Sequence, residues 1–241
     1  MSLFDLYGIK EVADVTFWDT KTGAPVLYLD TLKVSTIEET GEQAEARGGK
    51  GNAPLIIWDY GKEITLTLED ALFSMKSMQI MHNPNDAEHQ ITSASSVVRT
   101  SKFAVPAASA NAPTSVAIPN WATTLNAVFY DEQGQTAGDS LATGKTYIAT
   151  WTENVAAEVI TISSQSFPGT YRITGDTYAR NQATGEDEFF QFVIQLAKVN
   201  PEQTITMQAD GDPSTFSMTV RVLRPADGNM MQLIKYPRAS K

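Results

Sequence analysis

The stretch best suited to chemistry is "GDSLATGKT", Gly138 to Thr146, which resembles a phosphate-binding loop. Such a loop places four residues between its first glycine and Gly-Lys-Thr, and a helix N-terminus then receives the anion. Here five residues separate Gly138 from Gly144, Asp139 would repel a phosphate, and the alternating "YIATW" that follows predicts a strand. We therefore predict a hairpin turn at this position and no nucleotide site.

The remaining candidates for catalysis are no stronger. His82 and His89 lie seven residues apart, which fits neither an i,i+4 metal pair nor an HExxH motif, and we expect both in a solvent-exposed loop. There is no cysteine and no GxSxG nucleophile motif. We predict no catalytic residue, no cofactor site and no metal site, and we expect that the protein is not an enzyme.

A glycine-rich and charged stretch, "TIEETGEQAEARGGKGNAP", is the next candidate for function. It predicts a long loop, and no helix follows that could hold a phosphate. Two interpretations stay open, an ordinary mobile hairpin loop and a loop that becomes ordered only against a neighbouring subunit, because a loop of this length needs a reason in a compact domain. Its charged residues are Glu38, Glu39, Glu42, Glu45, Arg47 and Lys50.

Charge and composition limit the classes of function. The chain has 18 basic and 28 acidic side chains, a net charge of −10, which opposes tight binding to DNA but suits a surface along which DNA moves without sticking. The apolar fraction of 42% fits a globular protein, and no apolar run reaches the length of a membrane span. The start "MSLFDLYGIKEVAD" has no secretory signal pattern, so we expect synthesis inside the cell.

The elements that must position these residues are mostly strands. Apolar and polar residues alternate in "KEITLTLED", "FFQFVIQLA" and "STFSMTVRVL", a pattern typical of half-buried strands in an antiparallel sheet. Turn-forming stretches such as "DTKTGAP" and "RNQATGEDE" separate the strands. The sequence predicts a mainly β fold.

One segment, Glu69 to Pro84, predicts a short helix. Its first residues are acidic, it ends at Asn-Pro, and Leu72, Met75 and Met78 recur at three-residue spacing beside Phe73. We expect this helix to dock on the sheet, and a subunit boundary is one location for it.

Residues 106–169 predict an inserted unit. Their entry is rich in Ala, Ser, Thr and Pro, and the strands within them are short. We therefore predict a β core formed by residues 1–105 and 170–241, with a β-rich subdomain of residues 106–169 inserted into it.

Two stretches resemble the tail tube (major tail) proteins of long-tailed bacteriophages. The first is "APLIIWDYGKEITLTLEDALFS", which follows the charged loop, and the second is "DGDPSTFSMTVRVLRPADGNMMQLIKY", Asp210 to Tyr236. The resemblance covers roughly residues 10–105 and 170–237. It implies an antiparallel β-sandwich or barrel-like core with one short flanking helix.

The resemblance also implies a function. Six copies would join into a ring, and rings would stack into a tube that conducts DNA during ejection without binding it specifically. The expected partners are other copies of the chain and other phage tail proteins, with no cofactor and no membrane. The expected location is the virion, after assembly in the host bacterial cytoplasm. The residues expected between subunits or rings are the loop charges Glu38, Glu39, Glu42, Glu45, Arg47 and Lys50, the helix residues Phe73, Met75 and Met78, and the C-terminal bases Arg221 and Arg224.

A different class of function stays open, a β-rich carbohydrate-binding or adhesion module. Trp58, Trp121 and Trp151 would then be platforms for sugar rings, whereas the simpler interpretation places these tryptophans in the core.

Overall fold

The computed structural model describes residues 6–72, 74–82, 91–202, 205 and 215–237. Strands account for 56% of the residues and helices for 5%, and all strand pairs in the described part of the chain are antiparallel. The predicted mainly β, antiparallel fold is confirmed. A strand predicted at 204–208 lies largely outside the described residues.

The elements follow one another in this order: β1 Tyr7–Ile9, β2 Asp14–Asp19, β3 Pro25–Leu29, β4 Leu32–Gly48, β5 Ala53–Asp70, α1 Met75–Ile80, β6 Thr92–Ala94, β7 Val97–Ala104, β8 Ser115–Ala117, α2 Asn120–Thr124, β9 Val128–Tyr130, β10 Ser140–Ala142, β11 Thr146–Glu153, β12 Ala157–Val159, β13 Thr170–Asn181, β14 Asp187–Val199, β15 Phe216–Val222 and β16 Met231–Tyr236.

The chain forms two compact units, residues 1–90 with 160–241 and residues 91–159. The bounds of the second unit differ from those predicted for the insertion, 106–169. The reason is pairing: β7, which was expected in the core, pairs along its whole length with β11 of the second unit. Alternation within a strand indicates which residues share a face, but it does not indicate which strand becomes its neighbour.

The first unit is built on a nine-stranded sheet. Its strand order is β3-β2-β13-β14-β15-β5-β4, with β1 on β13 and β16 on β14. The path ends at β3 and β4, and no closed barrel forms in the described part of the chain. The expected core was a β-sandwich or a barrel-like fold, and the described strands do not close into a barrel.

One face of this sheet is buried and forms the main core. Leu66 and Val220, which are directly opposite each other on β5 and β15, are fully buried, whereas Thr65 and Arg221 point to the other face. We call that second side the outer face. The alternation predicted for these strands is confirmed, and it fixes which side chains the unit presents outward.

The sheet packs most tightly at Gly175 of β13. A Cβ atom there would overlap with the ring of Phe192, the residue directly opposite on β14. Phe192 is almost fully buried in the main core. Only glycine leaves room for this ring, because the ring of Phe192 lies against the backbone of residue 175.

The predicted helix at 69–84 is shorter than expected. Glu69 and Asp70 complete β5 instead of opening a helix, and the Asp70 carboxylate accepts hydrogen bonds from Thr31 Oγ1 at 2.5 Å and from the backbone N–H of Leu72 at 3.1 Å. The helix begins only after Ser74, whose hydroxyl caps the backbone N–H of Ser77 at 3.0 Å. This reciprocal Ser–Ser capping box replaces the acids as the start signal.

The face of α1 that packs inward also differs from the prediction. Leu72 is 64% exposed, while Met75 and Met78 are only half-buried. Ile80 is fully buried, and it joins the main core together with Met81. The helix begins after Leu72, and the residues that it buries are Ser77, Gln79 and Ile80. The three-residue spacing of Leu72, Met75 and Met78 therefore does not mark its buried side.

The second unit has its own core and an additional helix. Its strands form three small sheets, β7-β11-β9, β10-β8 and β12-β6. Phe129, Leu141 and Ala149 are fully buried there, and α2, which was not predicted, contributes the buried Ala122. The sequence analysis therefore expected one helix where the described chain has two. Neither has the length and apolar character that a crossing of a lipid bilayer requires.

Candidate subunit interface on the arm

The most distinctive feature of the surface is a long ribbon formed by β4 and β5. These strands pair from Leu32 opposite Asp70 to Gly48 opposite Ala53, whereas β15 pairs with β5 only between Thr65 and Asp70. In the described chain, residues 39–63 therefore have no ladder partner outside the β4–β5 ribbon. We call residues 39–63 the arm. At about 3.3 Å per residue, its β4 side extends roughly 30 Å beyond the sheet.

The glycines of this segment form the tip of the arm. Gly49 and Gly51 have φ values of 76° and 89°, and Asn52 has a φ of 50°. The backbone N–H of Asn52 donates to the carbonyl of Gly49 at 3.2 Å. A left-handed backbone favours Gly and tolerates Asn, so these residue types serve the reversal of the chain. The glycines therefore serve a tight turn in this structure.

The expected long loop at 38–51 is wrong, because most of it is strand. Glu, Ala and Gln have low strand propensity, so the sequence predicted a loop where β4 lies. The facing segment "PLIIWDY" is rich in β-branched and aromatic residues and supplies the ladder partner. β4, which has low strand propensity, is thus held in the ladder by β5, whose residues have high strand propensity.

One face of the arm is apolar and uncovered. Ile56, Trp58 and Tyr60 alternate along β5 and are 51%, 52% and 53% exposed. Ala46 and Ala44 lie directly opposite Ile56 and Trp58. We call these five residues the apolar face. An isolated two-stranded ribbon is marginally stable in water, and adjacent exposed apolar side chains mark surfaces that another molecule covers.

The charged residues expected at an interface lie along the same ribbon. Glu38 is opposite Thr65 at its root, Glu39, Glu42, Glu45 and Arg47 follow along β4, and Lys50 is in the turn at the tip. The structure therefore places all six on one ribbon, spread from its root to its tip.

Some of these charges pair within the arm. Lys62 Nζ lies 2.6 Å from Glu39 Oε1, and Arg47 Nη2 lies 2.5 Å from Glu45 Oε2. Both pairs are exposed, and exposed ion pairs contribute only about 0–1 kcal/mol. Glu42 forms no ion pair with any described residue.

The two C-terminal bases lie at different places. Arg221 lies close to the arm, and Arg224 lies in the segment that follows β15. Arg221 Nη2 donates to Glu63 Oε1 at 2.9 Å, so Arg221 contacts the root of the arm in its own chain. Arg224 follows β15 and is exposed. The contact between Arg221 and Glu63 was not anticipated, since these bases were expected to meet a neighbouring subunit.

The helix residues expected at the interface are not part of the arm. Met75 and Met78 belong to α1, which contacts β3 at the edge of the strand order opposite β4. Phe73 lies outside the described residues. A contact of Met75 and Met78 with another subunit stays a prediction.

The residues of the apolar face were not among those expected at an interface. The signal for this face is the run "PLIIWDY", in which apolar residues occupy both faces of a strand. Such a run is typical of a strand buried on two sides. The arm instead leaves both sides exposed, so the run indicates burial that this chain alone does not provide.

The near phosphate-binding loop is a connection between strands. Residues 143–145 link β10 to β11, and the backbone N–H of Gly144 donates to the carbonyls of Val105 and Pro106, each at 3.1 Å. A strand and not a helix follows, as predicted. The expected hairpin pairing is wrong, because β10 pairs with β8 while β11 pairs with β7 and β9.

The histidine and tryptophan predictions have separate outcomes. His82 directly follows Met81, the C-cap of α1, and His89 lies outside the described residues. Trp121 and Trp151 pack edge to face in the second unit, with ring centroids 5.5 Å apart. Trp151 packs against the core of that unit, as the core interpretation expects, whereas Trp121 is 40% exposed. Trp58 alone stands on an open strand face.

Known families provide an independent line of evidence. The model of the YomU/Tube protein family matches residues 7–235 of this chain. No curated protein matches it. Because the family model covers nearly the whole chain, the chain belongs to the YomU/Tube protein family and is a phage tube-like structural protein.

Proposed function

We propose that this member of the YomU/Tube family is a tail tube protein, six copies of which form a ring that stacks with others into a conduit for DNA. The observation that carries the proposal is the arm. It extends about 30 Å from the sheet, and its apolar face has no cover within the described chain. The family match over residues 7–235 supports a tube-like role for the assembly that would cover it.

Self-association explains the arm better than a soluble ligand does. The apolar face lies on an exposed two-stranded ribbon, and its large side chains are about half exposed, whereas small-molecule sites bury most of the ligand surface in a concave pocket. A repeated copy of the same chain supplies a matching surface at every position of a ring or stack. The protein would thus act by assembly, without catalysis or a cofactor, and would meet other tail proteins at the ends of the tube.

Passage of DNA requires a lumen that does not retain phosphates. Each fixed lysine or arginine that binds a phosphate must release it again before the DNA can move. A net charge of −10 per subunit, repeated around a ring, opposes such retention. The protein would be assembled in the host bacterial cytoplasm and act in the virion, with no membrane contact and no specific DNA binding.

Electron microscopy of the concentrated protein tests the proposal directly. We expect rings, or tubes made of stacked rings, with sixfold symmetry in end views. The assembled particles should show no measurable affinity for duplex DNA at physiological salt. A monomer that stays dispersed at high concentration would refute the assembly, and tight, steeply salt-dependent DNA binding would refute the conduit.

Trp58 keeps one alternative open, because an exposed aromatic ring on a strand can stack on a sugar. A glycan array probed with the monomer distinguishes the two. Specific glycan binding that is lost in Trp58→Ser would favour a carbohydrate-binding or adhesion module.

A further inference from the structure

The outer face of the sheet carries a row of three basic side chains on adjacent strands. Lys198 of β14 is directly opposite Arg221 of β15. Arg172 of β13 lies two residues from Thr170, which is itself opposite Lys198. All three side chains are exposed. We call Arg172, Lys198 and Arg221 the basic row.

The neighbours of these residues confirm that they point away from the core. Tyr171 and Ile173, which flank Arg172, are fully buried, as are Ala197 and Val199 on either side of Lys198. Side chains alternate between the faces of a strand, so the basic row lies on the outer face.

Within its own chain, this row is only partly neutralised. Arg221 pairs with Glu63 at 2.9 Å. Arg172 and Lys198 form no ion pair with any described residue. Like charges directly opposite each other on neighbouring strands destabilise a sheet, so the pair Lys198–Arg221 is best accommodated when an anionic surface lies over it.

The arm has the complementary charge. Residues 39–63 contain five acidic and three basic side chains. Glu42 lies opposite Tyr60, so its carboxylate is beside the apolar face, and it has no ion pair within the described chain. An approaching surface would meet an apolar strip with an unpaired acid at its edge.

In the described chain, Glu42 forms no ion pair with this row. Glu38 of β4 is opposite Thr65, which is itself opposite Arg221. Glu42 lies four residues beyond Glu38, roughly 13 Å further along the ribbon at about 3.3 Å per residue. Thr65 and Arg221 are the last residues of β5 and β15 to pair. Among the described residues, no carboxylate pairs with Arg172 or Lys198, so a second molecule can supply the acid that covers them.

We propose that the basic row is the docking surface for the arm of a second copy of this chain, with Glu42 as the acid that meets Arg172 and Lys198. This inference rests on the proposed function and deepens it by naming the two surfaces that join. Duplex DNA is a poorer occupant, since the row has only three bases and the same face carries Asp14 directly opposite Asp176.

A charge reversal in two steps tests the docking surface. In Arg172→Glu/Lys198→Glu, the protein concentration needed for assembly should rise at least about tenfold, because like charges at an interface are strongly unfavourable. Adding Glu42→Lys to the same chain should restore most of the assembly. Lys21→Glu/Lys102→Glu is the matched control, since it makes the same change in net charge at exposed lysines outside the row.

The outcomes separate the possible failures. Three results would each overturn the docking surface: normal assembly of the reversed variant, an equal loss of assembly in the control, or no recovery with Glu42→Lys. As long as the wild type assembles, none of these results contradicts the proposed function. DNA binding by the wild type that is lost in Arg172→Glu/Lys198→Glu, with assembly unchanged, would assign the row to nucleic acid instead. Wild-type protein that never assembles would refute the proposed function itself. Thermal melting confirms that each variant is folded.

Discussion

Truncating the two aromatic side chains of the apolar face, in Trp58→Ser/Tyr60→Ser, should weaken assembly without unfolding the protein. A fully buried aromatic side chain removes about 150–250 Å² from water. Trp58 and Tyr60 are 52% and 53% exposed, so roughly 100 Å² of each remains for a partner to cover. At about 25 cal/mol per Å², that area is worth about 2.5 kcal/mol per side chain.

Only part of that sum appears as affinity, because ordering side chains and desolvating polar groups at an interface both cost free energy. A net loss of about 2–3 kcal/mol corresponds to a decrease of roughly 30-fold to 150-fold in an association constant. The free energy of unfolding of the monomer should change by no more than about 0.5 kcal/mol, since no residue of the arm belongs to the main core.

Sedimentation velocity over a concentration series measures the threshold for assembly, and thermal melting measures the stability of the monomer. Val98→Ser is the matched control, because Val98 is 76% exposed but lies in the second unit. It should leave the threshold unchanged. If the double variant assembles at the wild-type threshold, or if Val98→Ser is equally harmful, the apolar face is not the joining surface.

Three further expectations concern stability and binding. Gly175→Ala should lower the free energy of unfolding by about 1–3 kcal/mol through overpacking against Phe192, whereas Gly8→Ala, with open space around it, should not; equal melting temperatures would contradict this. The carboxylate of Asp19 accepts a hydrogen bond from the backbone N–H of Thr22 at 2.6 Å, and this bond lowers the pKa of Asp19. Asp19→Asn should therefore lower the free energy of unfolding by about 1 kcal/mol at pH 7, and by less as the pH falls below about 4. A loss that stays constant in urea melts from pH 7 to 3 would refute this pH dependence. Isothermal titration should detect no ATP binding, and affinity that Lys145→Ala abolishes would show that the connection binds nucleotide.

Much of the sheet could be read directly from the sequence. A strand exposes its side chains alternately to two faces, so the spacing of Ile64, Leu66 and Leu68 is enough to place them in the core. The same rule correctly assigned β15. Turn chemistry is equally local, since glycine and asparagine are favoured by the φ values that a reversal needs, as at the tip of the arm.

Long-range pairing decided what periodicity could not. Residues 39–48 have weak strand propensity, and they become a strand only because residues 53–63 lie opposite them. β7 joined the second unit because its partner is β11, more than forty residues along the chain. The start of α1 likewise depended on Asp70 being engaged by Thr31 in the sheet.

The candidate site shows the same division. The sequence determined that Glu42 is acidic, that Lys198 is basic and that "PLIIWDY" is apolar, and those identities set what chemistry each can offer. Only the tertiary structure decided that the apolar run extends beyond the sheet without cover and that Lys198 stands opposite Arg221. The physical reason is that exposure and charge proximity depend on which strands pair, and pairing joins residues that are far apart in the chain.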